Sequence, residues 1–133
     1  MSLLDAMNDR LDRLDGATKK KLIQTVKEKD LRDKHIVPLA KILGYLVYWT
    51  HNSEHSPAGF PDLFLVHPVT GAVIIRELKR RRSNAKQYRP TEAQQEWLTG
   101  LGVAGLDAKV WTNDDWFSGL IREELLRGAG RAA

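Results

Sequence analysis

The 133-residue chain has no cysteine. That excludes a disulfide framework and any zinc site built on thiolates, and it fits a reducing compartment. It also lacks a Gly-rich phosphate loop and any serine or cysteine set up as a triad nucleophile. No apolar run approaches the roughly 20 residues that cross a bilayer. The opening MSLLDAMNDRLDRLDG carries acids and no apolar signal core, so it does not read as a secretory leader, and the expected location is cytoplasmic. There are no internal repeats and no long linker.

What is present is enough for one ordinary domain. Hydrophobic residues make up 42% of the chain, which argues against global disorder. The formal net charge is +4 and the isoelectric point about 9.5. This balance weakly favours a polyanionic partner.

Periodicity divides the chain. Residues 1–15 predict an amphipathic helix with Leu4, Met7, Leu11 and Leu14 on one stripe. The stripe suits packing on its own domain; a dimer contact is the alternative. Gly16 breaks this helix, and ATKKKLIQTV starts another segment. Residues 27–44 read as mostly helical, with a kink or break expected at Pro38 and a stop at Gly44. YLVYWTH, residues 45–51, reads as a strand. Residues 61–67 and 72–79 read as two more, joined by PVTG. Thr91 to about Leu101 is a helix whose Thr91 and Gln94 form a capping box. AKVW, residues 108–111, is a short strand. DDWFSGLIREELLRG is a last helix capped by Asn113 or Asp114, with a frayed tail from Gly128. The divisions are a helical extension (1–26), a main domain (27–127) and the tail (128–133). The order is α-β-β-β-α-β plus terminal helices, an α/β class.

GFPDLFLVHPVTGAVIIRELKRRR, residues 59–82, holds the chemistry. If residues 68–71 are the turn, His67 faces Ala72 and paired positions sum to 139. Asp62 then lies opposite Glu77 on one face, with Lys79 two residues further along that face. Opposed Cβ atoms are about 4.5–5.5 Å apart. Two carboxylates at about 4 Å repel by roughly 4 kcal/mol at an effective dielectric near 20. A shared cation reverses the sign, and Mg²⁺ commonly uses one or two carboxylates plus substrate phosphate. Lys79 would then hold a water or offset charge on a phosphate. The plainer reading makes Asp62 a strand cap and pairs Glu77 with Lys79 or Arg76. Leu63, Phe64, Leu65, Ile74 and Ile75 occupy both parities, so the sheet is expected to be covered on both sides.

Pro61-Asp62 followed by Glu77-Leu78-Lys79 resembles the PD-(D/E)XK nuclease signature. GFPDLFLV, ELK, PTEAQQEWL and GLDAKVWTNDDW resemble the VRR-NUC branch in order and spacing, over roughly residues 27–126. The resemblance implies a restriction-endonuclease-like αβββαβ core, a mixed central sheet flanked by helices, with the N-terminal helix added. It implies Asp62, Glu77 and the Leu78 carbonyl as metal ligands and Lys79 as the catalytic lysine. Glu28 is the best match for the family's helix glutamate, with Asp30 and Asp33 nearby, and Gln94 matches its glutamine, although capping Thr91 alone would account for Gln94. The implied activity is Mg²⁺-dependent DNA phosphodiester hydrolysis, with Mn²⁺ as a substitute. The implied substrate is branched DNA such as four-way junctions, cut by a homodimer in a bacterial host if the chain is phage-encoded. A non-cleaving DNA-binding or assembly module is the rival; a sequence-specific restriction enzyme would need a recognition domain that is not visible.

Arg80, Arg81, Arg82, Lys86 and Arg89 follow the proposed catalytic strand and read as sequence-independent phosphate contacts, or else as a solvated face. His51 and His55 are four apart but span a strand end and a loop, so a helical metal pair is not expected. Trp97, Trp111 and Trp116 read as core rather than base-stacking. Gly59 suits either a close backbone or phosphate approach or a plain turn.

Overall fold

The computed structural model describes residues 3–50, 55–80 and 89–132. Two helices, α1 (Leu3–Asp12) and α2 (Gly16–Thr25), lead into α3 (Glu28–Asp30), a π-helical stretch (Leu31–Ile36) and α4 (Val37–Ile42). Strands β1 (Leu46–Trp49), β2 (Leu63–Val66) and β3 (Val73–Lys79) follow, then α5 (Glu92–Val103), β4 (Asp107–Thr112), α6 (Asn113–Phe117) and α7 (Leu120–Gly128). The sheet order is β1-β2-β3-β4, with two antiparallel ladders and a parallel β3–β4 pair. It is a mixed sheet flanked by helices, the α/β core expected from the order of elements.

One face of the sheet carries Leu63, Leu65, Ile74, Leu78 and Trp111, all buried against Leu31, Ile36, Val37, Ala40, Ile121 and Leu125. Alternation puts Phe64, Ile75 and Glu77 on the other face, which α5 reaches: Gln94 on its first turn bonds Glu77. Both sides of β3 are therefore covered. The expected two-sided cover fails over β1 and part of β2, where Leu46 and Tyr48 remain 64% and 63% exposed. One twelve-residue helix is not wide enough for four strands.

Several local expectations change. Gly16 does not merely end the first helix: Asp15 caps α2, accepting the Thr18 N–H at 2.9 Å. Leu11 and Leu14 line an open apolar groove together with Leu22, Ile23, Val26 and Phe117 of the same chain. The side chains of Leu4 and Met7 lie outside the described residues.

The kink or break expected at Pro38 takes the form of a local distortion and not of a break. The chain stays helical from residue 28 to residue 42. Just before the proline the helix widens, and the Val37 N–H reaches back five residues to Arg32 O. The wider turn relieves the crowding between the ring and the preceding carbonyl, and Pro38 opens α4 where a missing N–H is tolerated. Gly44, at φ +97°, stops the helix as expected.

The last helix is two helices. Gly119, at φ +89°, separates α6 from α7, and the cap of α6 is Thr112 in a capping box with Asp115, not Asn113 or Asp114. Past Gly128 the backbone is still bonded: Ala129, Gly130 and Arg131 donate to Leu125, Arg127 and Leu126 carbonyls. Hydrogen bonding thus continues three residues into the segment expected to fray.

His35, on the π-helical stretch, is buried against Trp116 and Phe117, and its Nδ1 has no partner. Burial first, and Lys34 second, hold its pKa below the ordinary 6.5, with Asp30 opposing. The unfolded chain therefore binds a proton that the folded one refuses. The contribution of this histidine to stability should be constant above pH 6.5 and be lost as pH falls below it. Urea denaturation at pH 5 and pH 7.5 checks this: relative to the parent, His35→Phe should shift the balance between the two pH values towards greater stability at pH 5.

Candidate active site

The hairpin sets the register. His67 N–H donates to Ala72 O at 2.8 Å and Gly71, at φ +77°, donates back to His67 O. His67 Nε2 meets Leu43 O at 2.9 Å, while Nδ1 accepts the Val69 and Thr70 amides. The ring therefore carries its proton on Nε2 and ties the turn to the end of α4. From this turn the ladder runs Val66↔Val73, Leu65↔Ile74, Phe64↔Ile75 and Leu63↔Arg76, each pair summing to the expected 139. The next rung is Asp62 with Glu77.

The two acids meet at the end of the sheet. Asp62 Oδ2 accepts the Leu78 N–H at 2.9 Å. Glu77 is 2% exposed, and its Oε2 is buried with no hydrogen-bond donor. Its Oε1 accepts Gln94 Nε2 at 3.0 Å and lies 3.7 Å from Lys79 Nζ. Burial first, then the charge of Asp62 and a shared hydrogen bond with it, push the Glu77 pKa from 4.5 up to about 8; Lys79 opposes the shift without cancelling it. Of the plainer reading, the Glu77–Lys79 pair is present at 3.7 Å, but Glu77 is buried and not at a solvated strand end. Arg76 is no partner to Glu77. Alternation turns it to the opposite face, where it is fully buried, bonds Asp107 at 2.9 Å and approaches Glu124 at 3.5 Å.

Gln94 makes both contacts that its position allows. Its Oε1 accepts the Thr91 N–H at 2.9 Å in the capping box, while its Nε2 reaches Glu77. The cap fixes the side chain, and the fixed side chain presents a donor to the acid. Glu28 shares with Asp62 a cleft of about 370 Å³, lined also by Lys29, Arg32 and Leu78. There its Oε1 accepts the Arg80 N–H at 3.0 Å, tying α3 to the end of β3. Among the described residues, no three His, Asp or Glu side chains are close enough to hold one ion together.

Of the basic run, Arg80 is half-buried with its Nε unpartnered, and Arg89 is exposed. Arg81, Arg82 and Lys86 lie outside the described residues, as does His51; His55 is exposed. Gly59, at φ +97°, has a structural reason: a Cβ there would stand 2.5 Å from the Ala93 backbone. Trp111 and Trp116 are core as expected, whereas Trp97 is 40% exposed against Phe60.

Sequence reasoning missed Thr50. Its N–H donates to Asp62 O at 3.1 Å, continuing the β1–β2 ladder so that Thr50, Asp62 and Glu77 form one row across three strands. The signal was the β1 register, which the long connection after residue 50 hides.

A solved structure titled "VRR_NUC domain" has this architecture. It superposes with a TM-score of 0.56 at 20% identity, over 73% of this chain and 97% of that one. The chain has the VRR-NUC fold. No family model matches the sequence, and no curated protein matches it. The VRR-NUC likeness thus lives in the arrangement of elements. No helix among the described residues is long and apolar enough to cross a membrane.

Two outcomes test this geometry. In metal-free protein the folded state keeps a proton on Glu77 that the unfolded chain releases between pH 4.5 and about 8. Stability should therefore fall as pH rises through that interval. Asp62→Asn should lower the Glu77 pKa, read from its carboxyl carbon by NMR, yet leave it above 4.5 because burial remains. An unchanged value would mean that the acids do not interact. Gly59→Ala should cost about 1–3 kcal/mol in a thermal melt, since the new methyl meets helix backbone and not a flexible side chain.

Proposed function

We propose that this chain is a metal-dependent endodeoxyribonuclease. The observation that carries the reading is the Asp62–Glu77 pair. One buried Glu77 oxygen has no donor, and the acid is so poorly accommodated that its pKa reaches about 8. Such an oxygen needs a proton or a cation, and a second carboxylate faces it. This donor set fits a hard ion, Mg²⁺ with Mn²⁺ as a substitute, held by Asp62, Glu77 and the Leu78 carbonyl, with Glu28 at the rim. When bound, such an ion activates a water and offsets phosphate charge.

The remaining roles belong to the chain. Lys79, held 3.7 Å from Glu77, presents an ammonium beside the acids, where it orients the attacking water or stabilises charge building on the phosphate. Gln94 keeps Glu77 in place through its capping box. Arg80, Arg81, Arg82, Lys86 and Arg89 would contact the DNA backbone without reading sequence. The VRR-NUC fold supports a nuclease. The preference for branched DNA such as four-way junctions, and a homodimer making paired cuts, are supported by the sequence resemblance alone.

The rival is a binder that keeps the fold without cleaving. Incubation with linear, nicked, flapped and four-way junction DNA separates the two. With Mg²⁺ the parent should cut, and chelation should stop it. Asp62→Ala and Lys79→Ala should each reduce cleavage by about 10²–10³-fold while DNA binding persists. A parent that binds DNA but never cuts, with any of several divalent ions, is the rival. Equal cutting of all four substrates removes the junction preference alone.

A further inference from the structure

We propose that the groove bounded by Tyr48, Phe60 and Trp97 is a nucleobase subsite, taking the unstacked base next to the phosphate at the acid pair. The proposal rests on the nuclease reading and deepens it. The groove is a mostly apolar space of about 470 Å³, and Thr50 and Gly59 also line it. It lies over the half of the sheet that α5 leaves uncovered. Tyr48 is 63% exposed, Trp97 40% and Phe60 37%. Three large aromatic groups are seldom left this open together without an occupant.

Placement favours a base over any other occupant. Thr50, in the groove wall, is the cross-strand neighbour of Asp62, which is the neighbour of Glu77. Cross-strand neighbours are about 5 Å apart, so the groove starts one strand away from the acids. Phe60 is two residues before Asp62. Trp97 is one turn after Gln94, or about 4.5 Å along the helix. The Phe60 wall thus leads directly into Asp62, the Trp97 wall stands on the helix whose Gln94 holds Glu77, and the β1 wall is the strand paired beside Asp62.

The rings are also held for the purpose. The Ala93 backbone presses on Gly59, which fixes the loop carrying Phe60. Phe60 meets Trp97 edge-on at 5.2 Å, supporting one side of the indole and leaving another open. Aromatic side chains stack on any base, because every base has a π-face, and such stacking is tolerant of sequence. A duplex base inside its stack cannot enter such a groove, so the subsite selects strands with an unpaired or displaced base near the cut.

The test uses the full chain and single-stranded 12-mers, each with one abasic position, scanned along the strand. Binding is read by fluorescence anisotropy in Ca²⁺, and cleavage separately in Mg²⁺. One abasic position should weaken binding by about 5- to 100-fold. Tyr48→Ala should weaken intact 12-mer by a comparable factor and abolish that position's effect; Tyr48→Phe, which keeps the ring, should restore it. Uniform binding of all abasic strands overturns the proposal. So does a Tyr48→Ala variant that changes the oligomeric mass in sedimentation but not the abasic profile, since the groove would then belong to a second copy. A position-specific profile, with no Mg²⁺-dependent cleavage of these strands or of the nicked, flapped and four-way junction DNA, keeps the subsite and removes the nuclease reading instead.

Discussion

Asp62 and Glu77 face each other across two strands, and that opposition governs the rest of the site. It exists only in one register, because a slip of one residue sends one acid to the far side of the sheet. The register is held at both ends. At the turn, His67 binds the backbone on three sides, and Gly71 supplies the left-handed residue. Along the strands, Leu63 and Leu65 are fully buried, so a slip of one residue would carry them to the opposite face, where cover over β2 is only partial.

Around that rung, unrelated devices converge. The capping box of α5 is a local matter of three residues, yet it leaves Gln94 with a free amide aimed at Glu77. The π-helical stretch lets α3 and α4 run as one helix despite Pro38, so Glu28 reaches the backbone just past β3. The opposite face handles its own buried charge separately. There Arg76 lies over the Trp111 ring at 4.7 Å and is answered by Asp107 and Glu124. Two charged neighbours in sequence thus serve two sides of the sheet with different partners.

Much of this was legible residue by residue. The hairpin pairing followed from a four-residue turn and simple counting. The Thr91 cap, the stop at Gly44 and the burial of Trp111 and Trp116 followed from local chemistry. The errors have physical causes as well. Pro38 looked like a break because α-helical spacing was assumed, and a π turn removes the clash. Gly119 looked ordinary inside an amphipathic stretch, but its left-handed backbone splits the helix. Thr50 and Arg76 acquire their partners across the sheet or from distant helices, which no short window contains.

The amino-acid order by itself determined the register of the β2–β3 hairpin, the pairing of the two acids and the Thr91 cap of α5, because each depends on contacts within a turn or a hairpin. Tertiary structure alone decided which half of the sheet stays uncovered, where Glu28 and Arg76 point, and that Trp97 lies at the surface. Those outcomes depend on how wide a helix is against four strands and on which distant segments compete for the same face. That competition is settled by packing between elements and not by the residues of any one of them.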